Sequence, residues 1–169
     1  MSLGALIGAY QEDDAGSLKA LLPIAGRTLV EYQARCAAAA GAAPIVVLVE
    51  RVPVALAAAF DRLRAEGISV VPVTDPVDAS ARFEPGMPIL QMADGVAPAM
   101  NLVEQVASAD ERVVATVPDD ERHQGFERID NAHRWAGLAL VDGNTLSSTA
   151  AMLGDWDLQS TLLRRTIQA

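Results

Sequence analysis

The chain has one cysteine, few aromatic residues (4%) and no extended run of basic residues. A lone thiol cannot build a disulfide framework. Cys36, in an Ala-rich helical stretch, reads as a small buried hydrophobe in a reducing compartment. Net charge is −9, with 13 Lys and Arg against 22 Asp and Glu. Nothing here would release counterions from a phosphate backbone, which argues against nucleic acid and equally against an anionic membrane surface. The longest apolar stretch, Cys36–Val49, is broken by Gly41 and Pro44 and does not suit a membrane span. No basic start or cleavage site marks the N-terminus, which argues against secretion. These absences point to an acidic cytoplasmic protein.

What is present is apolar and regularly spaced. Half of the 169 residues are hydrophobic, enough for a sizeable core in one domain spanning 1–169. Strands are expected at Leu3–Ala9, Ile45–Val49, Ser69–Val73, Pro88–Met92 and Arg112–Val117, and a hairpin-like pair at Phe126–Ile129 and Trp135–Val141. Between them, Thr28-Leu-Val-Glu31 forms a capping box that opens a helix to about Ala40, where Gly41 ends it. Pro53 suits the first position of a helix over Val54–Glu66. Pro98 suits the start of another, to about Ala107. Thr145–Leu153 reads as a helix with Ser147, Ser148 and Thr149 near its start, and Asp157 as the cap of a last one reaching Ala169. That end carries no stop signal, which leaves open that the chain is the N-terminal part of a longer protein. Alternating strands and helices of this length predict an α/β fold with helices on both faces of the sheet.

The most telling stretch is Leu3–Gly26, LGALIGAYQEDDAGSLKALLPIAG. It reads as a buried strand, a loop through Gly8, Ala9 and Gly16, then Lys19 and an apolar Leu-Leu-Pro-Ile-Ala-Gly segment. This layout resembles the opening of the nucleotidyltransferases that activate sugar phosphates or molybdopterin. The resemblance covers the first fifty residues well and Ile89–Val141 more loosely. It implies a Rossmann-like three-layer α/β/α nucleotidyltransferase fold with a mostly parallel mixed sheet. It also implies a nucleotide site at Gly8, Ala9, Gly16 and Lys19, with Lys19 catalytic. Ile89-Leu-Gln-Met-Ala-Asp94-Gly resembles the family's second signature, in which the Asp holds Mg²⁺. The stretch from Phe126 through Trp135 to Val141 resembles the acceptor-recognition region, with Gly137 allowing close approach of the acceptor. The partners implied are a nucleotide and a phosphorylated small molecule.

Phosphate loops work because backbone N–H groups and basic side chains converge on negative charge. Here Gln11, Glu12, Asp13 and Asp14 stand where glycines and an Arg are expected. Two unit charges about 4 Å apart interact by ~4 kcal/mol at an effective dielectric of about 20. Reversing one such attraction can erase an affinity worth roughly 4–8 kcal/mol. The loop therefore reads as a degenerate phosphate loop with transfer activity weakened or lost. Three roles are open to its carboxylates: a solvated loop, a Mg²⁺ site, or a dock for a basic protein partner. The alternative to an enzyme is an inactive binding or scaffold protein, and a homo-oligomer is equally open. Two family features are missing from the pattern. No helix is evident between Thr74 and Gly86, and only Asp130 and Asp142 could stand in as a second metal carboxylate. His123 and His133 lack metal-pair spacing and read as surface residues.

Overall fold

The computed structural model describes residues 2–168. Strands β1 (Gly4–Gly8), β4 (Ile45–Leu48), β5 (Val70–Val73), β6 (Pro88–Met92), β7 (Val113–Pro118) and β8 (His133–Asp142) form one sheet in the order β5-β4-β1-β6-β8-β7. β1, β4, β5 and β6 run parallel, and β8 is antiparallel to both β6 and β7. A two-residue ladder, β2 (Pro23–Ile24) with β3 (Arg27–Thr28), lies between β1 and the first helix. The helices are α1 (Leu29–Ala39), α2 (Val54–Ala65), α3 (Pro76–Ala81), α4 (Met100–Ala107), α5 (Gly143–Met152) and α6 (Leu158–Gln168).

Side-chain alternation along the strands divides the core into two layers. Ala5, Ile7, Ile45, Val47, Leu90 and Met92 meet Val30 and Ala34 of α1, Leu56 and Leu63 of α2, and Val103 of α4. Leu6, Val46, Ile89 and Val141 face the other way, onto Ala79 of α3, Leu146 of α5, and Leu162 and Leu163 of α6. Burial on both faces is why the central strands read as unbroken apolar runs. The result is the three-layer α/β/α arrangement with a mostly parallel mixed sheet that the sequence implies. Among the described residues no helix is long and apolar enough to cross a membrane.

Thr28 and Glu31 form the expected start of α1. The Glu31 carboxylate accepts from the Thr28 amide at 3.3 Å and its hydroxyl at 2.8 Å. It is fully buried and is also reached by Arg62 at 2.6 Å.

Several local expectations are corrected. Thr74–Gly86 does contain a helix, α3, with Pro76 in its first turn and Asp75 accepting from the Val77 amide at 3.4 Å. Its six residues are too short to show a periodicity. Phe126–Ile129 is no strand: β8 pairs with β6 and β7 instead, and only an isolated Arg128–Arg134 bridge joins the two segments. Pro53 caps α2 from outside, and α4 starts at Met100 behind Ala99, past Pro98. Asp142 caps α5 by accepting from the Thr145 amide at 2.7 Å, so Ser147–Thr149 lie inside the helix. Ala169 lies outside the described residues.

Gly143 joins β8 to α5 against backbone that cannot retreat. A Cβ there would lie 2.2 Å from the Glu84 carbonyl oxygen and 2.8 Å from that of Pro85. Overpacking of a rigid site costs about 1–3 kcal/mol. Gly143→Ala is therefore expected to lose about 2–3 kcal/mol in urea unfolding, and an unchanged midpoint would contradict this packing.

Candidate active site

In open α/β sheets the ligand crevice lies beyond the carboxyl ends of the strands, where the strand order reverses. Here that position holds a cleft of about 440 Å³ past β1 and β6, lined among others by Gln11, Lys19, Asp94, Arg122, Gly137 and Gln159. Lys19 and Asp94 thus share one crevice, although 75 residues separate them in the chain. Lys19 is the only lysine of the protein, a signal in the sequence that gives it added weight. It opens a single 3₁₀ turn, Lys19–Leu21, and its amide donates to the Gln11 carbonyl at 3.0 Å. Its aliphatic stem crosses Gly95, where a Cβ would come within 2.9 Å of Lys19 Cδ. Gly95 also has φ of 78°, a region that side chains disfavour. The glycine after Asp94 therefore makes room for the lysine.

Asp94 is the pivot of the cleft. It is only 5% exposed. Its Oδ2 accepts from the Tyr10 and Gln11 amides, both at 2.7 Å, while its own amide donates to Gln159 Oε1 at 2.7 Å. Its Oδ1 is buried with no hydrogen-bond partner. Burial pushes its carboxyl up to about 6, with the Asp157 charge adding to the rise. The Gln11 and Tyr10 amides and Lys19 act in the opposite direction.

The remaining nucleotide-site residues separate. Gly8 ends β1 in a tight spot, where a Cβ would lie 3.1 Å from Gln159 Oε1 and 3.3 Å from Asp94 Cβ. Ala9 is fully buried in the core and contributes packing. Gly16 has φ of 80° and open space around it, at the tip of the turn and away from the cleft lining.

The acidic loop is largely exposed and makes its contacts away from the cleft. Asp13 Oδ1 accepts from the Ala15 and Ser17 amides at 2.9 and 3.0 Å, closing the turn. Glu12 pairs with Arg51 at 3.3 Å. None of Glu12, Asp13 and Asp14 lines the cleft. Among the described residues no three His, Cys, Asp or Glu side chains gather as a metal-binding group, so the loop carboxylates form no Mg²⁺ cage.

Gly137 lines the same cleft and has φ of 89°. A Cβ there would meet Val96 at 2.7 Å, so it is a packing point as well as a wall of the site. Neither Asp130 nor Asp142 approaches the cleft. Asp130 closes a turn by accepting from the Ala132 and His133 amides, and Asp142 is a helix cap. The acidic group whose charge reaches Asp94 is Asp157, which accepts from the Tyr10 hydroxyl at 2.6 Å while capping α6 through the Ser160 amide. Burial and then Asp157 raise the Tyr10 phenol. His123 and His133 each sit beside an aspartate, Asp120 and Asp130, outside the cleft. Arg122, Gln159 and Ser160 line the cleft without any signal in the sequence that marks them. Gln159 was the least legible, because it reaches the cleft from the last helix, where its Oε1 accepts from the Asp94 amide at 2.7 Å.

No family model matches the chain, and no curated protein matches it in sequence. Solved structures do. A UDP-glucose pyrophosphorylase complexed with UDP-glucose superposes with a TM-score of 0.67 at 11% identity, covering 100% of this chain and 88% of the other. A CMP-2-keto-3-deoxy-manno-octonic acid synthetase complexed with CTP gives 0.64 at 12%, covering 99% and 86%. A Bacillus anthracis protein described as a glucose-1-phosphate thymidylyltransferase, in complex with sucrose, gives 0.68 at 13%, covering 97% and 84%. The likeness is one of fold: the chain has the architecture of the sugar nucleotidyltransferases.

A carboxyl held at about 6 when folded and at about 3.9 when unfolded binds its proton more tightly in the native state. Stability therefore falls as pH rises from about 4 to about 6 and stays low above. Asp94→Asn keeps an oxygen for the two amides and removes the charge. At pH 8 the variant is expected to exceed the wild type by roughly 1–3 kcal/mol in urea unfolding, with the gain vanishing below about pH 4. Parallel stability profiles across that range would refute the assignment.

Proposed function

We propose that this protein is a nucleotidyltransferase that joins the nucleotidyl group of an NTP to a phosphorylated sugar or similar small acceptor, releasing pyrophosphate. The observation that carries the reading is the meeting of the sole lysine with a buried, half-satisfied carboxylate in one cleft at the strand ends. In the reaction, an acceptor phosphate oxygen attacks the α-phosphorus of the NTP. The bond from that phosphorus to the β-phosphate bridging oxygen breaks, and its electron pair leaves with pyrophosphate. Lys19 offsets the phosphate charge, and Gly8 lets the chain approach closely. Gly137 would border the acceptor. The catalytic setting is cytoplasmic.

The donor set suits Mg²⁺. Asp94 Oδ1 is a hard oxygen with no partner of its own, and Mg²⁺ is commonly held by one or two carboxylates together with substrate phosphates. Asp94 would hold the ion, which supplies charge neutralisation to the phosphates when bound. Because protons compete for this carboxyl up to about pH 6, metal affinity should strengthen as pH rises through that value.

A second reading, with transfer weakened or lost, has its own support. The loop amides of Tyr10 and Gln11 are taken by Asp94, and those of Ala15 and Ser17 by Asp13. These donors cannot also cradle phosphates without rearranging. In that case the protein serves as a nucleotidyltransferase-fold scaffold for a protein partner.

Calorimetry with CTP, GTP, UTP and ATP in Mg²⁺ separates the two. The enzyme reading expects binding of at least one nucleotide and pyrophosphate release with a phosphorylated sugar. Asp94→Ala or EDTA should weaken binding at least tenfold, and bound nucleotide should shield Lys19 from lysine-selective acetylation. Silence with all four nucleotides would leave the scaffold.

A further inference from the structure

The sheet ends in two edges of different character. At one end β5 has four residues, and Pro72 sits among them. At the other, β7 reads Val113-Val-Ala-Thr-Val-Pro118, six residues without a charge. β8 covers one side of it, and among the described residues no strand covers the other. Val113 and Thr116 are exposed, while Val114, Ala115 and Val117 are half-buried. An edge of this kind presents a row of unpaired N–H and C=O groups to any strand that can lie beside it.

The direction of those groups follows from the end of the strand. The Asp119 amide donates to the Ala132 carbonyl at 2.9 Å, so it faces the side on which β8 lies. Backbone groups alternate sides along a strand, which turns those of Val117 inward and those of Val114 and Thr116 outward.

A strand that is its own partner has few registers to choose from. A two-fold axis perpendicular to the sheet keeps every residue on its own face, and side chains alternate faces. Each residue must then lie opposite one an even number of positions away, so the axis passes beside a residue. The two registers that keep β7 largely paired are centred on Ala115 and on Thr116. Hydrogen bonding alone does not separate them, since either one engages the outward groups of Val114 and Thr116. Charge does. Centred on Ala115, Glu111 meets Asp119 of the second copy and Asp110 meets Asp120, acid against acid. Centred on Thr116, Arg112 meets Asp120 and Asp110 meets Arg122, with Glu111 against Glu121 as the like pair between them. Asp110 and Arg112 are exposed, and Asp120 already holds Arg122 at 3.2 Å. The four side chains therefore alternate in sign at each end of the joint.

We propose that β7 is the joining edge of a homodimer, in which a second copy of this chain pairs antiparallel about Thr116 and the two six-stranded sheets run on as one. This stands apart from the nucleotide reading and meets it at one point. Arg122 borders the Lys19 cleft, so Asp110 of the second copy steadies a residue of the cleft rim.

Sedimentation equilibrium from micromolar to millimolar concentration should show a monomer–dimer equilibrium that weakens as salt rises. Asp120 caps the Glu121–His123 turn and Arg122 lines the cleft, so the variants leave both intact. Thr116→Pro removes the outward N–H at the axis, spares the donors that face β8, and should abolish the dimer. The double exchange Asp110→Arg, Arg112→Asp keeps the net charge but sets like charges opposite one another, and should weaken association about tenfold or more. Thr116→Cys puts two thiols across the axis, with Cα atoms about 5.5 Å apart, within disulfide range. Mild oxidation should cross-link that variant, and should not cross-link Val114→Cys, which lies opposite Pro118 of the second copy. The native thiol of Cys36 is buried and stays out of the reaction. Should Thr116→Pro not fold, the charge exchange and the cross-link decide the matter. A monomer at every concentration overturns the proposal, as does a dimer indifferent to the charge exchange. Cross-linking through Ala115→Cys in place of Thr116→Cys overturns the register.

Discussion

The geometry of the site hangs on one carboxylate oxygen. Oδ2 of Asp94 accepts from two consecutive backbone amides, those of Tyr10 and Gln11, and so ties the end of β6 to the first residues after β1. Hydrogen bonds to a charged acceptor are the stronger kind, and two at 2.7 Å fix the loop's path as it leaves the sheet. The same contact buries the carboxylate and leaves its other oxygen unsatisfied. Burying a polar atom without a partner costs free energy, and such strain is most often retained where function needs it. A cation brought to Oδ1 would relieve that cost, which is why the least comfortable atom of the cleft is also its most informative one.

The acidic loop fits around this anchor. Repulsion of phosphates by Glu12, Asp13 and Asp14 would follow if all three faced the ligand. Instead Asp13 turns inward to close its own turn, Glu12 leans on Arg51, and the charged lining of the cleft is Lys19 and Arg122 with Asp94 and Glu127. The consequence is subtler than charge reversal. The Tyr10 and Gln11 amides at the end of β1 already donate to Asp94, and those of Ala15 and Ser17 to Asp13, so they are not free donors. Amide occupancy, more than loop charge, is what separates this site from an open phosphate cradle.

Much of the fold was legible because its signals are local. Apolar runs mark β1, β4 and β6, the Thr28–Glu31 box marks α1, and glycines mark helix ends. The errors occurred where the decision is non-local. Phe126–Ile129 has strand-like composition, yet it meets the start of β8, beyond the reach of β6, through a single bridge at Arg128 and Arg134 and extends no further as a ladder. The helix α3 is one and a half turns long and is held by its packing on Val46 and Val73, which no windowed pattern reports. Asp157 looks like an ordinary cap and is one, but the same carboxylate also holds Tyr10.

The sequence by itself determined the alternation of strands and helices, the apolar faces that make three layers, and the pairing of a loop lysine with a strand-end aspartate as the residues to watch. The first two follow from periodicity, which needs only neighbours along the chain, and the last from the resemblance of the two segments to the nucleotidyltransferases. Tertiary structure alone decided that Gln159 from the last helix would sit on the Asp94 amide, that the loop amides would be taken by carboxylates, and that Trp156 would stand exposed at the edge of a second cavity with no basic residue in its lining. Each of these depends on where distant segments come to rest on the sheet, and that is set by which faces remain to be buried once the strands have paired.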